Sequence, residues 1–382
     1  MIDGLRSPVT GLPLRADGPH SLSDGERRWP VVDGIPFLRA GRDALAGEAL
    51  AALDAGDGDR ALTLLLADQD DWARTPPPDA ATLAGLVADA DRLTFREAMD
   101  RLAFGGVATY FAHRWSDPTF LAGLALVEAY RGGSVSAFEI ACGAGHHLRE
   151  LLRVGVRASG GDVVFAKLWL ARRWVAPASS LVCFDAAAPW PVADGSADLV
   201  ACHDALYFLP AKPRVAAEMR RVAGSGGTVL VGHTHNRLVE NPSAGDPRSP
   251  GEYAALFGGA AVALYDDVEL ARALVEARAP VAAEAGDLAD AAAVALAVTD
   301  RAPVAVSGGL AVPEPGTRLV RNPLYAEDGR IRWPSPRYET EYGPLATYPP
   351  ETDAPATAVA GSSPAVDEMA RRRVLLDLPA RW

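Results

Sequence analysis

The chain reads as an α/β protein, a mostly parallel sheet with helices on both faces, on three observations. From residue 116 onward, short apolar strand patterns alternate with helical ones. The stretch "EIACGAGHH" (139–147) joins a strand to a helix through a glycine turn. Hydrophobic residues are 49% of 382, enough to bury a sizeable core and, by length, two or three units.

Residues 1–40 lack helix signals and end in "RRWPVVDGIPFLR", where Asp33, Gly34 and Pro36 interrupt apolar residues, predicting a small β unit with a tight turn. Residues 41–115 carry Ala/Leu-rich runs at helical spacing, broken at "TPPPDA", and predict a helical insert packed as hairpins. "SDPTFLAGLALVEAYRGG" has a Ser/Asp start, Pro in the first turn and a Gly-Gly stop, so it is a helix. Then come "VSAFEIA" as a strand, "GHHLRELLRVG" as a helix, "ASGGD" as a short strand end and "VFAKLWLARRWV" as a helix. "SLVCFDA" and "SADLVACHDA" are strands, "KPRVAAEMRRVA" a helix, "GTVLVGHTHN" a strand and "YDDVELARALVEA" a helix. "PVAAEAGDL" and "AAAVALAVTD" are expected to supply two closing strands, making seven. Residues 301–382 are Pro-rich, with Tyr325, Trp333, Tyr338, Tyr342 and Tyr348. Aromatics at that density argue for an ordered extension, either a small core or a substrate lid.

A net charge of −12 repels a phosphate backbone on average, so nucleic acid is not the expected partner. No basic and apolar leader is evident, and no apolar run approaches the roughly 20 residues a spanning helix needs. The expectation is a cytoplasmic protein without a membrane segment, for which a homodimer is compatible. Cys142, Cys183 and Cys202 form no CxxC pair or disulfide framework and read as small buried hydrophobes.

The chemistry begins at the turn. A dinucleotide fingerprint places a third glycine where this chain has Leu148, so the turn suits a ligand that brings no pyrophosphate against the helix. Glu139, Asp162 and Asp185 stand at the ends of the first three strands of the alternation. A carboxylate at the second can accept both ribose hydroxyls, and one at the third can accept from an adenine amine. Acids around a glycine turn suit a ligand with a cationic amine and a sulfonium, which describes S-adenosylmethionine.

Residues 116–300 resemble class I S-adenosylmethionine-dependent methyltransferases. The resemblance rests on "FEIACGAG", "GGDVVFAKLWLARR", "CFDAAAPWPVADGSADLV", "ALYFLP" and "EMRRVAGSGGTVLVG", in the family's order. It implies a Rossmann-like seven-stranded sheet. It also implies that Glu139, Ala141, Cys142, Gly143, Ala144 and Gly145 face the methionine part, Asp162 and Val163 the ribose, and Asp185 and Ala186 the adenine. Cys202 and His203 would lie near the methyl group. Ala141 replaces the family's first motif glycine. "SPVTGLPL" and "WPVVDGIPFL" resemble the zinc-ribbon domain of the tRNA-methyltransferase activator family, but Ser7 and Thr10 stand where that family has paired cysteines. The resemblance implies a degenerate, zinc-free unit kept for packing or for a partner.

Methyl transfer to a hydroxyl or amine needs a base. His203 and His233, at the ends of the fourth and fifth strands, are the candidates, and Tyr207 is a candidate for orienting substrate. Each histidine also has a structural reading, as a backbone hydrogen-bonding side chain. His233 and His235 share a strand face and with His203 or Asp204 have metal-ligand spacing, but no second shell can be read and no metal is expected. His146 and His147 open a helix and read as exposed polar capping, with a place facing the ligand's carboxylate as the alternative for His147. The expected function is methyl transfer to a small-molecule acceptor. The alternatives are RNA or protein methylation and a non-catalytic S-adenosylmethionine-binding or partner role.

Overall fold

The computed structural model describes residues 2–73, 75–241 and 244–382. It opens with four antiparallel strands, β1 (Arg15–Ala16), β2 (Ser21–Ser23), β3 (Arg28–Val32) and β4 (Ile35–Pro36), adjacent in that order. The turn between β3 and β4 uses Asp33 and Gly34 at φ 50° and 74°, the backbone that an Asp-Gly hairpin adopts readily. Ser7 is buried, its Oγ accepts from the N–H groups of Val9 and Thr10, and the Thr10 hydroxyl donates to Asp24.

The insert comprises α1 (Asp43–Asp54), α2 (Gly58–Leu66), α3 (Ala80–Asp89), α4 (Phe95–Arg101) and α5 (Gly106–His113). Asp57 and Asp79 cap α2 and α3, and Thr94 with Glu97 closes a reciprocal capping box on α4. Helix α6 (Pro118–Arg131) starts on the Asp117 cap with Pro118 in its first turn and stops at Gly132, φ 48°. Every residue from Pro118 to Tyr130 is buried, because this helix lies between the main sheet and the C-terminal extension.

The alternation then unfolds as β5 (Ser136–Ile140), α7 (His146–Arg153), β6 (Arg157–Asp162), α8 (Phe165–Leu170, continued by a π-helical turn to Val175), β7 (Ser180–Cys183) and β8 (Leu199–His203). It continues with α9 (Lys212–Ala223), β9 (Thr228–His235), α10 (Pro250–Ala255), β10 (Val262–Asp266), α11 (Asp267–Val275) and β11 (Ala293–Val298). These strands form a seven-stranded sheet in the order β10-β11-β9-β8-β5-β6-β7, with β11 antiparallel to both neighbours and the five strands from β9 to β7 parallel. The chain changes direction across the sheet between β5 and β8, so the crevice at their carboxyl ends is where a ligand binds in such folds.

One closing strand differs from expectation. It is Val262–Asp266, ahead of α11, whereas residues 280–288 contribute only a single bridge from Ala283 to Leu264. Asp266 ends β10 and its carboxylate accepts from the Val268 N–H to cap α11, so strand and helix abut without a loop to separate their patterns.

The extension holds β12 (Arg318–Arg321), α12 (Pro336–Tyr342), β13 (Thr357–Val359), α13 (Pro364–Arg371) and β14 (Leu375–Leu376), with β12 central in a three-stranded sheet. Tyr325, Tyr338, Tyr342 and Tyr348 are buried with Leu319, Leu324 and Leu375 in a core of their own. Asn322, fully buried, accepts from the Ser116 hydroxyl and donates to the Arg373 carbonyl, tying the extension to the start of α6. Further on, the Arg381 guanidinium donates to the carbonyls of Ala90, Leu93 and Arg173 and lies over the Trp174 ring. Among the described residues no helix is long and apolar enough to cross a membrane.

Candidate functional site

The turn after β5 is built on positive φ at Ala141 (54°), Gly143 (54°) and Gly145 (80°). A left-handed alanine costs about 1 kcal/mol, so Ala141 keeps the glycine's backbone in place of the glycine. A side chain at Gly143 would also crowd α5, since a Cβ there would sit 3.1 Å from the Phe111 ring. Asp162, at the end of β6, faces the same turn: one oxygen accepts from the Gly143 N–H at 3.0 Å, the other from the Val164 N–H at 2.9 Å. The Lys167 ammonium stands 3.9 Å away. Val163 is half-buried beside it. Asp185 lies two residues past β7, half-buried, accepting from the Ala187 N–H, and the buried Ala186 accepts from the Trp190 indole. Cys142 and Cys202 are buried, and burial pushes both thiols up, so neither is a nucleophile at neutral pH.

Glu139 is buried beside this turn with His147 Nδ1 3.2 Å from its Oε1. The His147 ring stacks on His203 at 3.9 Å between centroids. Gly123 of α6 closes over the pair, since a Cβ there would come 2.6 Å from His147 Nε2. Among the described residues, Glu139 Oε2, His147 Nε2 and both ring nitrogens of His203 have no hydrogen-bond partner, a concentration of unsatisfied buried polar atoms that points to a ligand. Burial raises the Glu139 carboxyl to about 7 despite the pull of His203 and Arg114, whereas burial holds His147 and His203 neutral. His146 and His147 are therefore not exposed caps. His146 packs against Trp115 and hydrogen-bonds the Phe111 carbonyl, and His147 belongs to the cluster.

A second cluster adjoins the first through Asp204, the neighbour of His203. Asp204 (φ 53°) accepts from the Tyr110 hydroxyl at 2.6 Å and the Tyr207 hydroxyl at 2.9 Å, with Arg114 3.5 Å away and His233 Nε2 3.8 Å away. His233 (φ 47°) sits in a β-bulge, where Gly232 and His233 of β9 oppose the single Ala295 of β11. Bulges re-aim side chains, and this one turns His233 toward Asp204. Its Nδ1 lies 2.5 Å from Asp267 at the start of α11. Burial opposes a charge on His233, but Asp204 and Asp267 outweigh it and raise the imidazole to about 9. The His235 ring stands 5.0 Å from that of His233 and 4.2 Å from that of Tyr207; its Nδ1 meets the Asn241 amide at 2.8 Å and its Nε2 has no partner among the described residues.

The structure thus gathers the sequence's candidates in two adjoining groups. His203 lies with Glu139, while Tyr207 and His233 converge on Asp204. Tyr110, Phe111, Arg114 and Asp267 went unnoticed in the sequence. The only sequence signal for the first three is the aromatic and basic stretch "TYFAHRWSD" just ahead of α6.

Residues 138–231 match the family described as "Methyltransferase domain". No curated protein matches the chain. Solved structures with similar stretches include a Bacillus halodurans protein provisionally described as a methyltransferase, at 20% identity over 38% of this chain and 69% of that one, TM-score 0.32. Another is Haemonchus contortus phosphoethanolamine N-methyltransferase 2 with S-adenosyl-L-methionine, at 16% identity over 55% of this chain and 60% of that one, TM-score 0.40. A third is the [4+2]-cyclase SpnF, at 17% identity over 47% of this chain and 80% of that one, TM-score 0.34.

Proposed function

We propose that the chain, whose residues 138–231 match a methyltransferase-domain family, is a class I S-adenosylmethionine-dependent methyltransferase that transfers the methyl group to a small-molecule acceptor. The observation that carries the acceptor class is enclosure. His203, His233 and His235 are each less than a tenth exposed, Tyr110 of α5 closes on the neighbouring Asp204 and Gly123 of α6 lies against His147 and His203, an enclosure that favours a small acceptor over a folded RNA or protein surface.

The residues fit the cofactor. Glu139 offers a buried carboxylate oxygen, unpaired among the described residues, for a cationic amine, the glycine turn presents its backbone, and Asp162 and Asp185, after β6 and β7, offer carboxylates for the ribose and the adenine amine. When bound, S-adenosylmethionine supplies an electrophilic methyl on a sulfonium. This chain's part is to align and deprotonate the acceptor. His203, with both ring nitrogens unpartnered among the described residues and Glu139 beside it, is the base. The Tyr110 and Tyr207 hydroxyls, both held by Asp204, orient the acceptor. His233 is the less available base, because Asp204 and Asp267 raise its imidazole to about 9 and it already carries a proton at neutral pH.

Calorimetric titration with S-adenosylmethionine, with Asp162→Ala as control, tests the cofactor site: micromolar binding lost in the variant supports it, and no binding refutes it. Incubation with labelled cofactor and panels of small hydroxyl and amine acceptors, against bulk tRNA and protein, tests the acceptor class. Label in macromolecules alone would refute a small acceptor.

A further inference from the structure

We propose that Asp204, His233 and His235 form a binding site for one divalent first-row metal ion such as Zn²⁺, Co²⁺, Mn²⁺ or Fe²⁺. One ligand atom from each of the three lies within 4.8 Å of the others. Two imidazoles and one carboxylate are a donor set that such ions accept, leaving coordination positions for water or a substrate oxygen. Bonds of about 2.0–2.2 Å require only a modest contraction of the present spacing.

Proximity alone would not carry this; the surroundings of the ligands do. A metal-binding histidine has its other ring nitrogen held by a carboxylate, carbonyl or amide, which fixes the ring and frees the ligating nitrogen. His233 is held this way: Nδ1 on Asp267 at 2.5 Å, Nε2 toward Asp204. So is His235, with Nδ1 on Asn241 at 2.8 Å and Nε2 buried with no partner among the described residues. An Asn side chain can present either its oxygen or its nitrogen to an imidazole, and metal loading selects the oxygen, leaving a lone pair on His235 Nε2. The backbone supports the same reading. Asp204 and His233 are both non-glycine residues at positive φ, and such strain gathers where side-chain placement is functional.

The other group within ligand distance, Glu139, His147 and His203, lacks this second layer. Neither ring nitrogen of His203 is held by a described residue, the carboxylate beside His147 Nδ1 is Glu139, itself one of the three, and Gly123 crowds His147.

The metal site adjoins the residues assigned to the acceptor but does not depend on the methyl-transfer reading, and it is tested without turnover. Chelator-treated full-length protein is titrated with Co²⁺, followed by visible absorption, and with Zn²⁺, followed by calorimetry. The expected result is one equivalent bound with a Kd at or below about 10 µM, roughly 7 kcal/mol. His235→Ala weakens binding by at least about 100-fold, and Asp267→Asn, which touches no metal, by about 10–100-fold. His147→Ala leaves it unchanged. Asp204→Asn, nearly isosteric, serves if circular dichroism shows His235→Ala to be unfolded. Wild-type protein that binds no stoichiometric metal overturns the proposal, as does binding that survives in folded His235→Ala and Asp204→Asn or is lost only in His147→Ala. S-adenosylmethionine titrated into the same samples tells the two readings apart, because loss of the metal site leaves that binding intact.

Discussion

Glu139 prefers its proton when folded. Its carboxyl lies near 7 in the fold and near 4.5 when unfolded, so the native state binds more protons across that window. Stability is then full below about 4.5 and declines as pH rises toward 7, by at most about 1.4 kcal/mol per pH unit from this group. Glu139→Gln is expected to flatten the decline, read from urea midpoints between pH 5 and 7.5. A cationic amine beside Glu139 favours the ionised form, so S-adenosylmethionine affinity should rise over the same range in the wild type and not in the variant. Arg114 has the opposite vulnerability. It is 4% exposed, donates to Asp117 and Thr119, and approaches Asp204. Arg114→Met strands two buried carboxylates and is expected to cost about 3–5 kcal/mol in chemical denaturation.

At the scale of elements, α5 covers the turn. Phe111 stands over Gly143, so Phe111→Ala is expected to lose about 3 kcal/mol of stability and to raise the S-adenosylmethionine association rate in stopped-flow measurements. A rate that stays at the wild-type value would remove α5 from the entry path. The insert carrying α5 is itself fastened by Arg381, whose removal in Arg381→Ala leaves the carbonyls of Ala90, Leu93 and Arg173 without their donor. About 2–3 kcal/mol and faster proteolysis between α3 and α5 are expected, since hydrogen bonds from a charged group are among the stronger ones. What could be read beforehand follows the range of each signal. The acids at the strand ends and the glycine turn are local patterns, and Glu139, Asp162 and Asp185 stand where those patterns place them. Strand β10 was hidden because it runs into α11 at Asp266, and the extension because its strands are two to four residues long. Tyr110, Phe111, Arg114 and Asp267 reach the site from far along the chain, brought there by tertiary packing that no period in the sequence encodes.

For the whole molecule, the first 38 residues extend the main sheet. Phe37 pairs with Cys183, and the Leu38 N–H donates to the Cys183 carbonyl at 2.7 Å, which covers the outer side of β7. A bare parallel edge strand reading "SLVC" is a template for pairing with another chain, so covering it is expected to limit self-association. Protein lacking residues 2–38 should still contain the cofactor residues, yet is expected to scatter light and elute as large particles at concentrations where the full chain stays dispersed. Grafting a lysine at Ser180, the half-buried residue of β7, should suppress that scattering more than it restores the melting temperature, because an edge charge blocks intermolecular pairing without rebuilding the lost packing.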